Sequence, residues 1–417
     1  KRTISDGLSR AGVRVIDAGT LPTAALSFLI ASKGFFSGGA MITASHNPVI
    51  ENGIKVFDPR GVKVTDEIEL QIEEHFRGST PPLLDLYPTP PRDDPTYTEQ
   101  YIRALAQEQR NEPRFGKRIV IDCANGAAST LAPAVMDKLG LPYALINANP
   151  DGTNINFQAG SEHVRLYPEL FYKELCRYNA DLGVAFDGDA DRVVFVDRRQ
   201  RFYNGDIILS ILALKLQRQQ SLSQHTVVIT PLSNGGLADY FEQHQIQIRK
   251  VSNGDKYITE ALLTHDLTLG GEEIGHMIIH TDANRVTGDG LRTALFVLAE
   301  LASSSDTMLC DLAPGLHRWP QIKVSVELGR RTTQKAEDIP GLVELMDKTR
   351  ASIPDLSRIE CRPASTEPVY RLILEACVTP TGVLVQHASR LAAHIQLFFG
   401  CSDKPVQIID CVNGGIL

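Results

Sequence analysis

The chain has 417 residues, 43% hydrophobic and 22% charged, with a formal net charge of −8. That length exceeds one ordinary core, so several domains are expected. The negative balance argues against a general nucleic-acid or anionic-membrane binder, which would need a basic face, and no apolar run reaches the length of a membrane span.

The seven cysteines, at 123, 176, 310, 361, 377, 401 and 411, are scattered and contain no CxxC pair. They read as free thiols of a reducing cytosol, and with no signal-peptide pattern at the start a cytoplasmic location is expected.

In chain order, helical spacing at Ile4, Leu8 and Ala11 opens the sequence. Strand-like runs then alternate with helical periodicity: "VRVIDAG" (13 to 19), "GAMITAS" (39 to 45), "RIVIDCANG" (118 to 126), "DLGVAFDGD" (181 to 189), "TVVITPLSNGG" (226 to 236) and "LTLGGEEIGH" (267 to 276). Such alternation predicts α/β layers with mixed sheets. The third and fifth runs each lead through an Asn-Gly turn into an amphipathic helix, as copies of one unit would.

Three stretches read as linkers because proline and small polar residues interrupt regular structure: 79 to 95, 197 to 206 and 303 to 320. The expected pieces are 1–95, 96–200, 201–316 and 317–417: three successive related α/β domains and a C-terminal α+β domain around one central cleft. In the last piece "QIKVSVELG" and "VYRLILEACV" read as strands, and "IPGLVELMDKTRASI" and "VLVQHASRLAAHIQLFF" as helices.

Four segments carry chemistry. In "TASHNP" (43 to 48), Ser45 and His46 follow a short apolar strand and precede an Asn-Pro turn, which places them on a loop at a strand end. In "FDGDADRV" (186 to 193), Asp187, Asp189 and Asp191 alternate, so the backbone aims three carboxylates at one point. Uncompensated, they would raise one another's pKa, and an all-oxygen ligand set favours magnesium or calcium over zinc. A calcium-binding EF-hand loop is excluded, because its sixth and twelfth positions would be Arg192 and Arg198. In "GGEEIGH" (270 to 276), Glu272 and His276 offer an acceptor and a switchable donor suited to sugar hydroxyls. In "RPASTEPVYR" (362 to 371), Arg362, Ser365, Thr366 and Arg371 are equipment for a phosphate dianion.

Taken in order, "TASHNP" with "NGIK" (52 to 55), "DGDADR", "GEEIGH" and "RPASTEP" resemble the phosphoserine, metal, sugar and phosphate motifs of the α-D-phosphohexomutase family, over the whole chain. The resemblance implies that Ser45 carries the phosphoryl group and completes the ligands of one Mg2+ held by Asp187, Asp189 and Asp191. It also implies that Lys55 and Arg192 offset phosphoryl charge and that His46 orients groups or exchanges protons beside Ser45. Glu272 and His276 would contact sugar hydroxyls; Arg362, Ser365, Thr366 and Arg371 would hold the phosphate that is not reacting. A hexose or hexosamine 1,6-bisphosphate is the implied activator and a small phosphosugar the implied partner, with no nucleic acid or membrane; monomer and homodimer both stay open.

Within the family, "DCANGAAS", "PDGTNIN", "TGDGLRTA" and "PQIKVSV" resemble phosphoglucosamine mutases, which implies interconversion of glucosamine 6-phosphate and glucosamine 1-phosphate. Phosphomannomutase/phosphoglucomutase is the alternative. The chain departs from the family pattern at Ile274 for a serine, at Ala364-Ser365 for Ser-Gly, and at Lys256 for an arginine. The resemblance further implies a strand and an arginine-bearing loop ahead of Lys1. Those departures keep open a weakened sugar-phosphate binding protein of the same fold, and the serine and metal motifs keep open a metal-dependent phosphatase.

Overall fold

The computed structural model describes residues 1–78, 92–94, 96–303, 308–364 and 367–417. Most of the proline-rich stretch at 79–95, part of the one at 303–320, and both Ser365 and Thr366 therefore lie outside the described residues. In the first stretch of chain, β1 (Ile16–Asp17) and β2 (Gly39–Ile42) precede β3 (Ile54–Phe57) and β4 (Arg92–Asp93). β1 pairs parallel with β4, and β2 pairs antiparallel with β3, so only part of "VRVIDAG" is a strand. The N-terminal helix Arg2–Arg10 buries Ser5 and Ser9, while Leu8 is exposed, so its apolar stripe does not face a core.

β5 (Ile119–Asp122), β6 (Tyr143–Ile146), β7 (Leu182–Phe186), β8 (Val193–Asp197) and β9 (Phe202–Tyr203) form one sheet in the order β6-β5-β7-β8-β9. β5, β7 and β8 are buried at every residue, as strands covered by helices on both faces must be. β8 and β9 pair antiparallel, so the stretch expected as a linker at 197–206 is a hairpin turn inside this sheet. Phe202 and Tyr203 are apolar and buried there, which outweighs the polar residues that suggested a linker.

A second mixed sheet follows: β10 (Thr226–Ile229), β11 (Gln247–Lys250), β12 (Leu269–Gly271) and β13 (Met277–Ile279), in the order β11-β10-β12-β13. The two strand-turn-helix copies differ in what their turns touch. After β5, a Cβ on Gly126 would sit 2.1 Å from the Gly188 carbonyl oxygen, and Ala127 donates its N–H to that oxygen at 2.8 Å. After β10, a Cβ on Gly236 would sit 2.0 Å from the His317 carbonyl oxygen. One turn grips the aspartate loop and the other grips the entry to the C-terminal piece.

That piece is an antiparallel sheet of β14 (Gln321–Glu327), β15 (Leu356–Pro363), β16 (Val369–Ala376) and β17 (Val406–Asp410), in the order β15-β16-β14-β17. One face packs Ile322, Val324, Cys361, Tyr370 and Leu372 against Leu342, Leu384 and Leu391 of two helices, Leu342–Ser352 and Thr381–Phe399. This core is separate from the large core shared by the preceding units, which runs from Leu21 to Ala313. The joint between them is polar. Asn234 donates to the Trp319 carbonyl at 2.8 Å and accepts from the Trp319 and Gly236 N–H groups; Gly235 N–H reaches Glu375 at 3.0 Å, and Gly415 N–H reaches the Arg165 carbonyl at 2.8 Å. All seven cysteines are free, and no helix among the described residues is long and apolar enough to cross a membrane.

Asn234→Ala would remove three hydrogen bonds and strand the Trp319 N–H in the joint. A loss of about 1–3 kcal/mol is expected in urea unfolding followed by Trp319 fluorescence. An unchanged midpoint would show that the joint does not depend on this side chain.

Candidate functional site

β7 and β8 are neighbours in register, so residues 187 to 192 form a tight loop at their common end, with Ala190 in the left-handed region at φ 55. The flanking strands are buried, and the loop is drawn in with them: Asp187, Asp189 and Asp191 are 1%, 3% and 3% exposed. One oxygen from each can be chosen so that all three lie within 4.8 Å of one another. Burial, with Asp191 and Asp189 beside it, pushes the Asp187 pKa well above the carboxylate range. Burial acts on Asp191 in the same direction, but Lys55, His276, Lys63 and Arg192 outweigh it and hold that group ionised. Asp189 Oδ1 and Asp191 Oδ1 are buried without a hydrogen-bond partner among the described residues. Oxygens left bare in this way around one point fit a hard divalent cation.

Ser45 approaches from β2. Its backbone lies in the left-handed region at φ 54, a sparsely populated conformation for serine that cross-chain contacts sustain. Asn156 donates to the carbonyls of Ser45 and Asn47 at 2.8 and 2.9 Å, and Thr43 Oγ1 accepts from the Ser45 N–H at 2.8 Å. Held there, Ser45 Oγ donates to Asp187 Oδ2 at 2.7 Å. Lys55, on β3 opposite Met41, places Nζ 2.6 Å from Asp189 Oδ2 and 2.8 Å from Asp191 Oδ2. Burial alone would lower its pKa, but the two carboxylates raise it, so it stays charged. Thr23, from the helix Thr23–Lys33, donates to the same Asp189 oxygen. His46 is neutral at pH 7: burial, then the Arg192 charge, lowers its pKa to about 4, and its Nδ1 has no hydrogen-bond partner among the described residues.

The glycine-rich loop after β12 is stitched to the aspartate loop. Arg192 and His276 form a β-bridge, and Val193 donates its N–H to the Gly275 carbonyl at 3.0 Å. Gly275 has φ 93, and a Cβ there would meet the Val193 carbonyl oxygen at 2.2 Å, so only glycine allows the approach. The stitch sets His276 Nε2 at 3.8 Å from Asp191 and 3.5 Å from Asp255, with both ring nitrogens lacking hydrogen bonds among the described residues. Burial, followed by Glu273 and Asp255, raises the Glu272 pKa to about 7. Ile274 is half-buried on this loop. In the Gly254-Asp255-Lys256 turn, Asp255 pairs with Lys63 and faces His276, whereas Lys256 turns away to Asp66 and Glu69.

Ser45, His46, Lys55, Arg192, the three aspartates and His276 thus converge, with Glu272 on the adjoining loop. Arg371 approaches through intermediaries. Lys323 on β14 feels the charges of Arg165, Glu273, Arg371 and Glu162, and Glu162 in turn acts on His46. Arg371 Nη2 pairs with Glu367 at 2.7 Å, and its buried Nε has no hydrogen-bond partner among the described residues. Arg362, opposite Arg371 in the β15–β16 register, is exposed and contacts none of the converging groups among the described residues. Sequence reading did not pick out Thr23, Lys63, Asn156, Asp255, Arg165 or Lys323. Asn156 and Lys323 lay inside quoted motifs, and Asp255 beside the Lys256 departure, without a role; the others sit in ordinary helix, strand or loop patterns, and only the folded chain brings them together.

The chain matches three family models in order: phosphoglucomutase/phosphomannomutase alpha/beta/alpha domain I over residues 1–82, domain II over 99–200 and domain III over 204–316. It is 34% identical over 398 residues to the phosphoglucosamine mutase of Clostridioides difficile, covering 94% of this chain and 85% of that one. To the phosphoglucosamine mutase of Rhodococcus erythropolis it is 37% identical over 381 residues, covering 90% and 83%. A solved phosphoglucomutase/phosphomannomutase family protein of Burkholderia thailandensis shares the fold with a TM-score of 0.73 at 21% identity, covering 97% of this chain and 87% of that one. The N-acetylphosphoglucosamine mutase of Aspergillus fumigatus, solved with GlcNAc-6P and magnesium, does so with a TM-score of 0.66 at 19% identity, covering 94% and 98%. With domain models in register along most of its length and relatives above 30% identity over nearly all of it, this chain belongs to the α-D-phosphohexomutase family and is a phosphosugar mutase, an isomerase.

Proposed function

We propose that the protein interconverts glucosamine 6-phosphate and glucosamine 1-phosphate, with Ser45 as phosphoryl carrier and one Mg2+ at Asp187, Asp189 and Asp191. The observation that carries this reading is the 2.7 Å hydrogen bond from the Ser45 hydroxyl to a buried triad of carboxylates. The identity of the sugar is carried by the phosphoglucosamine mutase relatives.

In the forward step a sugar hydroxyl oxygen bonds to the phosphorus on Ser45 as the P–Oγ bond breaks. The hydroxyl proton passes to a neutral imidazole, His46 or His276, and is returned from the imidazolium to Ser45 Oγ as it leaves, so the exchange is proton-neutral. The resulting sugar 1,6-bisphosphate returns its other phosphoryl group to Ser45 by the reverse exchange, which explains why such a bisphosphate would act as activator. Splitting the transfer in two replaces one difficult displacement by two easier ones. Bound Mg2+ supplies charge neutralisation at the transferring oxygens. This chain's residues do the rest: Lys55 and Arg192 balance phosphoryl charge, Asn156 fixes the serine loop, and Glu272 accepts from sugar hydroxyls. Arg371, with Lys323 and Arg165 nearby and Arg362 at the strand end, receives the phosphate that is not reacting; Ser365 and Thr366 belong to the same proposed subsite.

A phosphorus NMR time course with Mg2+ and a trace of hexose bisphosphate tests the reading, offering glucosamine, mannose and glucose 6-phosphates in parallel. Glucosamine 1-phosphate should appear fastest; faster mannose or glucose turnover would move the assignment to phosphomannomutase/phosphoglucomutase. Inorganic phosphate accumulating in place of any 1-phosphate would indicate a phosphatase. Ser45→Ala should lower turnover by ~10³-fold or more, and retained turnover would remove the serine from the mechanism.

Lys55→Met separates the two counter-charges of the triad. Without metal the variant should melt lower than the parent, because three buried carboxylates lose their ammonium. Saturating Mg2+ should then raise its Tm by more than it raises the parent's, in line with about 2.7 kcal/mol of stabilisation at a hundredfold excess over Kd. An equal or smaller rise would mean that Lys55 and the metal do not share these carboxylates.

A further inference from the structure

The protein treats the two oxygens of Asp189 differently. Oδ2 accepts from Lys55 Nζ at 2.6 Å and from the Thr23 hydroxyl, whereas Oδ1 is buried and has no hydrogen-bond partner among the described residues. Asp191 shows the same division: Lys55 reaches its Oδ2 at 2.8 Å, and its Oδ1 is bare. Lys55 divides itself between two carboxylates at the end of a flexible stem, so it does not by itself fix the plane of either one. Thr23 donates to Asp189 alone among the described residues. It is fully buried at the first position of the helix Thr23–Lys33, and its N–H donates to the Asp189 carbonyl at 3.0 Å, so backbone and side chain of one residue grip backbone and side chain of another 166 positions away. Its β-branched side chain is stiff, which keeps the hydroxyl in place.

We propose that Thr23 is a positioning residue that keeps Asp189 a one-oxygen metal ligand and thereby selects Mg2+ over Ca2+; the inference rests on the metal assignment above. Ca2+ takes about six to eight oxygens in a flexible arrangement and accepts both oxygens of one carboxylate, whereas Mg2+ demands an octahedron at about 2.0–2.1 Å. With Oδ2 engaged by a buried hydroxyl, a two-oxygen grip on Asp189 would cost that hydrogen bond and leave the hydroxyl unpaired in the interior. The bare Oδ1 atoms of Asp189 and Asp191 present single oxygens, the form that suits the smaller ion. Three carboxylates alone, as a set of hard oxygens, do not separate the two cations. The separation comes from a residue outside that set, on the first unit, and donors that orient a metal's ligands in this way are worth about 10–100-fold in affinity.

Isothermal titration of the chelator-treated full chain with Mg2+ and with Ca2+ tests this, alongside melting without metal. Thr23→Val keeps the side-chain shape and removes the hydroxyl donor. It should lose about tenfold or more in Mg2+ affinity, with a smaller loss or a gain for Ca2+, so that the parent's preference for Mg2+ falls. Thr23→Ser, which keeps the hydroxyl, should retain the parent's preference. An unchanged preference in Thr23→Val, whatever its metal-free Tm, would make Thr23 a packing residue only and overturn the proposal. An equal fall in Thr23→Ser, or a parent that binds Ca2+ as tightly as Mg2+, would overturn it too. Asp189→Asn checks the metal assignment separately: Mg2+ binding at the parent's strength in that variant, or no Mg2+ binding by the parent, would remove the cation from the triad and this proposal with it.

Discussion

Three buried carboxylates within reach of one another cannot all remain ionised unless positive charge stands beside them, and the rest of the site is arranged around that constraint. The structure answers it in part with protein groups. Lys55 reaches Asp189 and Asp191, Arg192 stands against Asp187 and Asp191, and Lys63 and His276 act on Asp191 from the sugar-loop side. These cations come from β3, from the aspartate loop itself, from the strand-end region of the first unit and from the loop after β12. Bringing them together requires all three preceding units to pack as one body, and their shared core from Leu21 to Ala313 does this. Asp187, the member furthest from full compensation, is the one the Ser45 hydroxyl contacts. The position at which charge balance is least complete is thus also where the hydroxyl stands, and where a cation and a phosphoryl group would complete the balance together.

The same logic explains which features could be read from the sequence. "FDGDADRV" was legible because alternation within one hairpin loop fixes the three aspartates relative to one another locally, whatever the rest of the chain does. The strand cores around it were legible for a similar reason, since β5, β7 and β8 are continuous apolar runs. Lys63 and Asp255 were not, because a lysine and an aspartate nearly two hundred residues apart carry no mark of their meeting. The 197–206 stretch misled because its polar composition is that of a linker, whereas two aromatic side chains at its end complete the sheet edge. Local composition reports on a turn; it does not report whether the strand after the turn folds back.

The C-terminal unit obeys a different rule. Its own core closes without help from the other three, and it meets them through Asn234, Trp319, Glu375, Arg165 and the turn at Gly415, all hydrogen-bonded contacts. Hydrogen-bonded joints of this kind can exchange with water at small net cost, whereas separating an apolar interface exposes area at about 25 cal/mol per Å². In the proposed cycle a sugar bisphosphate would present each of its two ends to Ser45, so the group holding the far end would have to let go and take hold again. A self-contained domain on a polar joint suits that requirement. Lys323, half-buried on the strand that carries this joint, feels Arg165 and Arg371 but also Glu273 and Glu162, so the protein itself supplies charge of both signs there.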